Sequence, residues 1–422
     1  MRLVLLLALG TFALGLDAYV TAGLLPAMAD DLGTSVSATG QTVTAFTLAY
    51  ALVSPLCATL LSAARQRAGL LVSLAVFAVA NAGSALAPSL TVLLVTRAVA
   101  GVGAGLYLAL AASCATTLVS AERRGRALAM IMGGMSSGTV LGVPVGVLLA
   151  RHAGWRATLC LVAVLGVLSF VGLAARLPRL LGDGAAAPSL RGRLSVLADG
   201  RVASVVTVSF LAAVGSLGLY TYLAPVMESE AMGGVHGITP YLWAWGVGGV
   251  LGSVLIGPLV DRFRRPYTLV VGVLAVLCCA LAAFRLTASV APLLALAPLA
   301  VWGAAGWALQ VPQQHELTTT RNTSGGASGG TGGRASGGTG GGTVAVALNE
   351  SALYLGSAVG SGLGGVAFGL GWDPSALPLY AAGFALLGLL TQLTWVRTAT
   401  RRARPTLAAQ DSGDTEDAPK RR

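Results

Sequence analysis

Two residues of opposite charge stand inside stretches that are otherwise apolar: Asp17 within 3–28 and Arg97 within 90–119. An ionisable side chain at bilayer depth is costly and by default marks a functional site, commonly an ion or proton path. Burial disfavours the charged form of a carboxylate, and a neighbouring guanidinium favours it. A group balanced between those effects can load and release protons. The other reading of the same residues is a static buried pair that fixes helix register. A helix rises 1.5 Å per residue, which puts Asp17 about 21 Å from the near end of its stretch. Arg97, counted from the far side of a core roughly 30 Å thick, comes to about 20 Å from the same face. The two charges are therefore expected at similar depth.

Softer polar signals lie elsewhere. Gln310, Gln313 and Gln314 close one apolar run, and Asn349 and Glu350 open the next. Both are expected on the cytoplasmic side, with Glu350 capping a helix or lining the inner vestibule, and capping or gating ahead of proton transfer. Tyr19, Tyr50, Tyr107, Tyr222, Trp243 and Trp245 can stack on a substrate; as a group, tyrosine and tryptophan more often anchor at membrane interfaces. Tyr19, Tyr50, Asn349 and Glu350 are the candidate cavity residues. The single lysine, Lys420, rules out a phosphate-binding G-x-x-x-x-G-K-[ST] loop within these residues. His152, His236 and His315 sit in or near loops, and no nucleophile–base or paired-carboxylate set stands out, so no enzymatic chemistry and no cofactor is expected. Energy is expected from an ion gradient such as a proton gradient, from the solute's own gradient, or from a partner subunit. Cys57, Cys114, Cys160, Cys278 and Cys279 fall in apolar runs without metal-ligand spacing and read as small buried hydrophobes.

The elements that must position these residues are membrane helices. Charged residues make up 10% of the chain and hydrophobic ones 55%, against about 25% charge in a soluble domain. Apolar runs of spanning length recur twelve times: 3–28, 38–61, 69–88, 90–119, 127–150, 157–176, 202–226, 239–260, 267–287, 291–314, 344–370 and 375–396. With the N-terminus in the cytoplasm, 23 of the 27 Lys and Arg residues fall on the cytoplasmic side. That bias places both termini there, and it accounts for the net charge of +11 without a nucleic-acid partner. Residues 1–29 also carry an A-x-A site at Ala27–Ala29, but Asp17 and Pro26 disagree with a cleaved signal, and the run is kept as the first helix. The high alanine, glycine and arginine content points to a bacterial cell membrane.

The polar connection 177–201 separates six runs (1–176) from six (202–396). At an offset of 198, SAARQRAGLLVSLAVF from Ser62 aligns with VDRFRRPYTLVVGVLA from Val260. Internal repeats of this kind typify secondary transporters, with sites at mid-membrane between the repeats. Residues 324–343 are a Gly/Ser/Thr segment expected to act as a flexible cytoplasmic linker, and 397–422 a disordered tail. The fold expected is all-α, twelve transmembrane helices in two pseudo-symmetric six-helix bundles.

Motifs then narrow the class. LLVTRAVAGVGAG carries Arg97 followed by Gly101, Gly103 and Gly105, and GTVLGVPVG carries Gly138, Gly142, Pro144 and Gly146. With LDAYVTAGLLP from Leu16 and Gly154-Trp155-Arg156, they resemble the major facilitator superfamily, specifically its twelve-helix drug:proton antiporter branch and the sugar-efflux and chloramphenicol-type exporters within it. The resemblance implies proton coupling through Asp17 and Arg97, and alternating access through the fifth-helix glycines and Pro144. The family's gating-loop pattern is kept in the second half as Gly257, Asp261 and Arg262, but in the first half Ala63 stands where aspartate is expected. The reading is proton-coupled export of a small amphipathic molecule from a lipid bilayer. A proton symporter or facilitator importing a solute, and a non-transporting sensor, remain alternatives.

Overall fold

In hydrocarbon a backbone must satisfy its own N–H and C=O groups, so the apolar runs fold as helices. The computed structural model describes residues 1–60, 66–178, 195–263, 266–324 and 340–413. Most of the inter-half linker (179–194), most of the glycine-rich segment (325–339), Ala63, Arg65 and the last residues of the tail (414–422) lie outside the described residues. Twelve helical segments follow one another. They are α1 Arg2–Val20, α2 Val36–Leu60, α3 Gln66–Ala85, α4 Leu90–Thr117, α5 Arg124–Ala153 and α6 Trp155–Arg176. The second set is α7 Gly200–Thr221, α8 Thr239–Arg262, α9 Pro266–Val290, α10 (Leu296–Ala308 continued by Gln310–Ser324), α11 Gly340–Gly369 and α12 Leu377–Gly413. Among the described residues, eleven helices are long and apolar enough to cross a membrane. The twelfth, α2, has 25 residues and is made more polar by Thr39, Gln41, Thr42, Thr44 and Thr47. Outward-facing Val79, Val254, Leu255 and Leu286 are more than 60% exposed, an arrangement that suits lipid and not water.

The two sets pack alike. α1 lies on α5 and α6, α2 on α4, and α3 on α4 and α6; α7 lies on α11 and α12, α8 on α10, and α9 on α10 and α12. The halves meet through α2 against α11 and α5 against α8. Among the described residues, the hydrogen bonds that join them include Ser37 Oγ to the Gly365 carbonyl at 2.6 Å, Thr44 Oγ1 with Ser361 Oγ at 2.9 Å, and Arg151 Nη2 to the His236 carbonyl at 3.0 Å. These contacts seal the bundle at the end away from the chain termini.

Several element ends differ from expectation. α10 runs on to Ser324 and α11 starts at Gly340, inside the segment expected as linker. α1 stops at Val20, and a 3₁₀ turn, Thr21–Gly23, leads into a separate helix Leu25–Asp31, where one run to residue 28 is expected. Pro26 has no N–H to continue the ladder. α7 repeats the device: it ends at Thr221, and Leu223–Glu228 follows with Pro225 inside it. α12 continues past residue 396 to Gly413, where a disordered tail is expected; alanine and arginine are good helix formers and extend it beyond the apolar run.

The resembling motifs also take structural form. In α5 a π-helical turn, Gly138–Gly142, stands just before Pro144. The missing proline N–H frees a carbonyl one turn back, and the ladder widens there. Gly154 takes φ +78° between α5 and α6, a conformation favouring glycine. The next two residues clamp that corner on Asp31. Trp155 Nε1 donates to its Oδ2 at 3.2 Å, and Arg156 Nη2 pairs with the same oxygen at 2.8 Å while lying over the Trp155 ring.

Candidate functional site

Glycines set how closely the helices of the first half approach. A Cβ at Gly101 would run into the Phe46 carbonyl of α2, one at Gly103 would come 2.7 Å from the Phe77 nitrogen of α3, and one at Gly105 would come 2.9 Å from the Tyr50 carbonyl. On α5, Gly138 faces the Phe12 carbonyl of α1, and Gly142 and Gly146 face Leu16 and Val20. Thr139 Oγ1 donates to the Gly15 carbonyl at 3.3 Å. The fifth-turn charge of α1 is thereby held against α4 with little freedom.

Asp17 and Arg97 meet there. Arg97 Nη1 donates to Asp17 Oδ1 at 2.6 Å, and Nη2 reaches the Asp17 carbonyl at 3.4 Å. Asn81 of α3 completes the group: its Nδ2 donates to Asp17 Oδ2 at 3.2 Å and its Oδ1 accepts from Arg97 Nη1 at 3.2 Å. The guanidinium lies 4.5 Å from the Phe46 ring centre. Asp17 is 0% and Arg97 1% exposed, so the pair is sealed inside the first bundle in this conformation. The depth argument anticipates the meeting of Asp17 and Arg97. Asn81 escapes it because an uncharged amide does not register in a search for charge; its signal is a lone carboxamide in the apolar run of α3.

A second constellation sits between the halves. Tyr19, two residues from Asp17, turns out of the first bundle to meet Tyr220 of α7 and Trp245 of α8, with ring centres 5.7 and 5.9 Å away. Tyr50 of α2 stacks on Tyr354 of α11 at 3.8 Å. Glu350 lies ten residues into α11, not at its mouth as expected, because the helix begins at Gly340. Its Oε1 accepts from Gln314 Nε2 at 3.4 Å. Glu350 is thus a mid-helix residue bonded to α10 and not a helix cap. Beside it Asn349 is buried, with Oδ1 lacking a partner among the described residues.

The aromatics depart from the anchoring role expected of them. Tyr50, Tyr107, Tyr222 and Trp245 are buried, and Tyr19 is half-buried. Tyr107 donates to the Leu7 carbonyl and Tyr222 to the Ser361 carbonyl; Trp243 is 36% exposed. The helices are packed too densely around these rings for them to reach an interface. In the gating pattern, Gly257 has open space where a Cβ would stand and Arg262 is exposed, while the side chain of Asp261 lies outside the described residues.

A small cavity of about 40 Å³ lies against this cluster, walled by the second half and by Tyr19 of α1. Tyr19, Trp245, Trp307, Gln310 and Gln313 form part of its wall. Aromatic walls with a few polar groups suit a small organic ligand.

Comparison with known proteins agrees with this geometry. The sequence model of the Major Facilitator Superfamily matches residues 7–343. The inner membrane transport protein YdhP of Escherichia coli (strain K12) is 29% identical over 92% of this chain and 94% of its own length. A chloramphenicol resistance protein of Streptomyces lividans is 35% identical over 61% of this chain and 66% of its own. Among solved structures, a bacterial homolog of the human lysosomal transporter Spinster, in an inward-facing and occupied conformation, superimposes with a TM-score of 0.65 at 16% identity, covering 94% of this chain and 97% of that one.

Proposed function

The chain belongs to the major facilitator superfamily, and from that premise we propose that it exports a small amphipathic molecule in exchange for protons. The observation that carries the reading is the three-way bonding of α1. Asp17 ties it to α3 and α4, Gly15 presses it on α5 at the Met135 carbonyl, and Tyr19 sets it against the second half. Protonating Asp17 removes the charge that Arg97 holds at 2.6 Å. The strain of that change reaches Tyr19 half a turn away and, through the π turn before Pro144, the contact of α5 with α8. Protonation and substrate binding then favour opposite conformations, which is how differential affinity drives exchange. The Lys and Arg distribution favours cytoplasmic termini, and with them the conformation described here faces inward. The name of the Streptomyces lividans relative favours export of an antibiotic-like compound.

Glu350 supports a second reading of the same exchange, because it is a carboxylate in the middle of α11 whose hydrogen bond comes from an amide and not from a cation. One assay separates the two. Inside-out vesicles acidified by respiration and carrying an acridine pH dye receive chloramphenicol. The expected outcome is dye recovery in wild type and Glu350→Gln but none in Asp17→Asn. Recovery in Asp17→Asn with loss in Glu350→Gln transfers the proton to Glu350. Acidification by added compound in place of recovery would sink export.

A further inference from the structure

Trp302 and Trp245 stand in one aromatic cluster, their ring centres 6.5 Å apart, yet they are treated differently. Trp302 Nε1 donates to Ser216 Oγ at 2.6 Å. Trp245 is 2% exposed and its Nε1 has no partner among the described residues. Gln313 matches it from α10. Also 2% exposed, it accepts from Ser209 Oγ at 2.9 Å through Oε1, and its Nε2 has no partner among the described residues. Both side chains line the same cavity. A buried donor without an acceptor is costly, and native proteins seldom leave one without a use. Two in one wall mark a place where an acceptor is meant to arrive.

The wall around them sets the rest of the ligand. The rings of Tyr19 and Trp307 lie 5.9 and 5.8 Å from Trp245; both are half-buried and line the cavity. Flat aromatic groups stack there. Ser209 and Ser216 already have partners, and neither donor carries a charge.

We propose that this cavity in the second half is the substrate's acceptor subsite, taking a flat aromatic or heteroaromatic compound whose uncharged carbonyl, nitro or similar oxygen receives hydrogen bonds from Trp245 Nε1 and Gln313 Nε2. The proposal rests on the transport reading above but not on its direction or its coupling ion.

Calorimetric titration of the purified full chain in lipid nanodiscs tests it, with no gradient present. The probes are chloramphenicol, inosine and, as an organic cation without an acceptor oxygen, tetraphenylphosphonium. The expected result is saturable binding of chloramphenicol or inosine. Trp245→Phe keeps a ring and loses the donor, and should weaken that binding roughly tenfold, the worth of one hydrogen bond of about 1.4 kcal/mol. Gln313→Leu should do the same, and Trp245→Phe decides alone where that variant does not fold. Wild-type affinity in Trp245→Phe overturns the proposal. So does binding of tetraphenylphosphonium only, or of no probe. Because binding is read without transport, failure here leaves proton exchange at Asp17 standing, and failure of that exchange leaves this subsite standing.

Discussion

Arg97 is a buried cation, and its charge is matched by one carboxylate. Removing Asp17 alone leaves that cation buried without a counter-charge, a loss of about 3–5 kcal/mol in comparable buried pairs. Asp17→Asn will therefore lower stability as well as coupling, and the two effects must be separated. The double variant Asp17→Asn/Arg97→Gln does so, because two amides can hydrogen-bond to each other and to Asn81 with no charge left over. Its thermal unfolding in detergent should return most of the way to wild type. If the pair only fixes helix register, the double variant also transports normally. If Asp17 carries the proton, it folds, binds substrate and releases no protons in the vesicle assay. Normal proton release by a stable double variant would reduce the pair to a structural tie. The sequence made this pair legible because charge in an apolar run is conspicuous and helix rise converts position into depth. It left Asn81 and the mid-helix place of Glu350 obscure, the first because amides are common polar residues, the second because α11 begins at glycines that carry no apolar signal.

At the scale of elements, the two glycine motifs differ from ordinary helix glycines in what faces them. The space above Gly101 and Gly138 is filled by backbone carbonyls, of Phe46 and Phe12, which cannot rotate away as a side chain would. Gly257 and Gly272 face nothing within 4 Å. Gly101→Ala and Gly138→Ala should each push neighbouring helices apart and cut the yield of monodisperse protein severalfold. Gly257→Ala should leave yield unchanged or raise it slightly, since alanine favours helix by about 1 kcal/mol over glycine. Size-exclusion profiles of the three variants from equal membrane amounts measure this; equal profiles would mean the close approach is dispensable. Helix number and pairing follow from apolar length and the repeat at offset 198, both visible in the chain. The breaks after Val20 and Thr221 were less legible, because apolar residues continue through them and only Pro26 and Pro225 signal the interruption.

For the whole molecule, the contacts that seal the end away from the termini are those that alternating access must break. The hydrogen bonds and the stacked Tyr50–Tyr354 pair are modest individually, each hydrogen bond worth about 0.5–1.5 kcal/mol. Such a seam can hold one conformation at rest and still yield to a ligand that prefers the other by a few kcal/mol. The Thr44 and Ser361 hydroxyls, 2.9 Å apart across the seam, offer a direct way to hold it shut. In a background with the five native cysteines replaced by alanine or serine, Thr44→Cys/Ser361→Cys should form a disulfide under mild oxidation in membranes. Transport should fall to the vesicle background on oxidation and return on reduction. Substrate binding from the termini side should persist in the oxidised protein, because the seam closes away from the cavity wall formed by Trp245 and Gln313. A cross-linked protein that still transports at the reduced rate would mean that the halves do not part along α2 and α11, and the exchange would then have to run through a motion within one bundle.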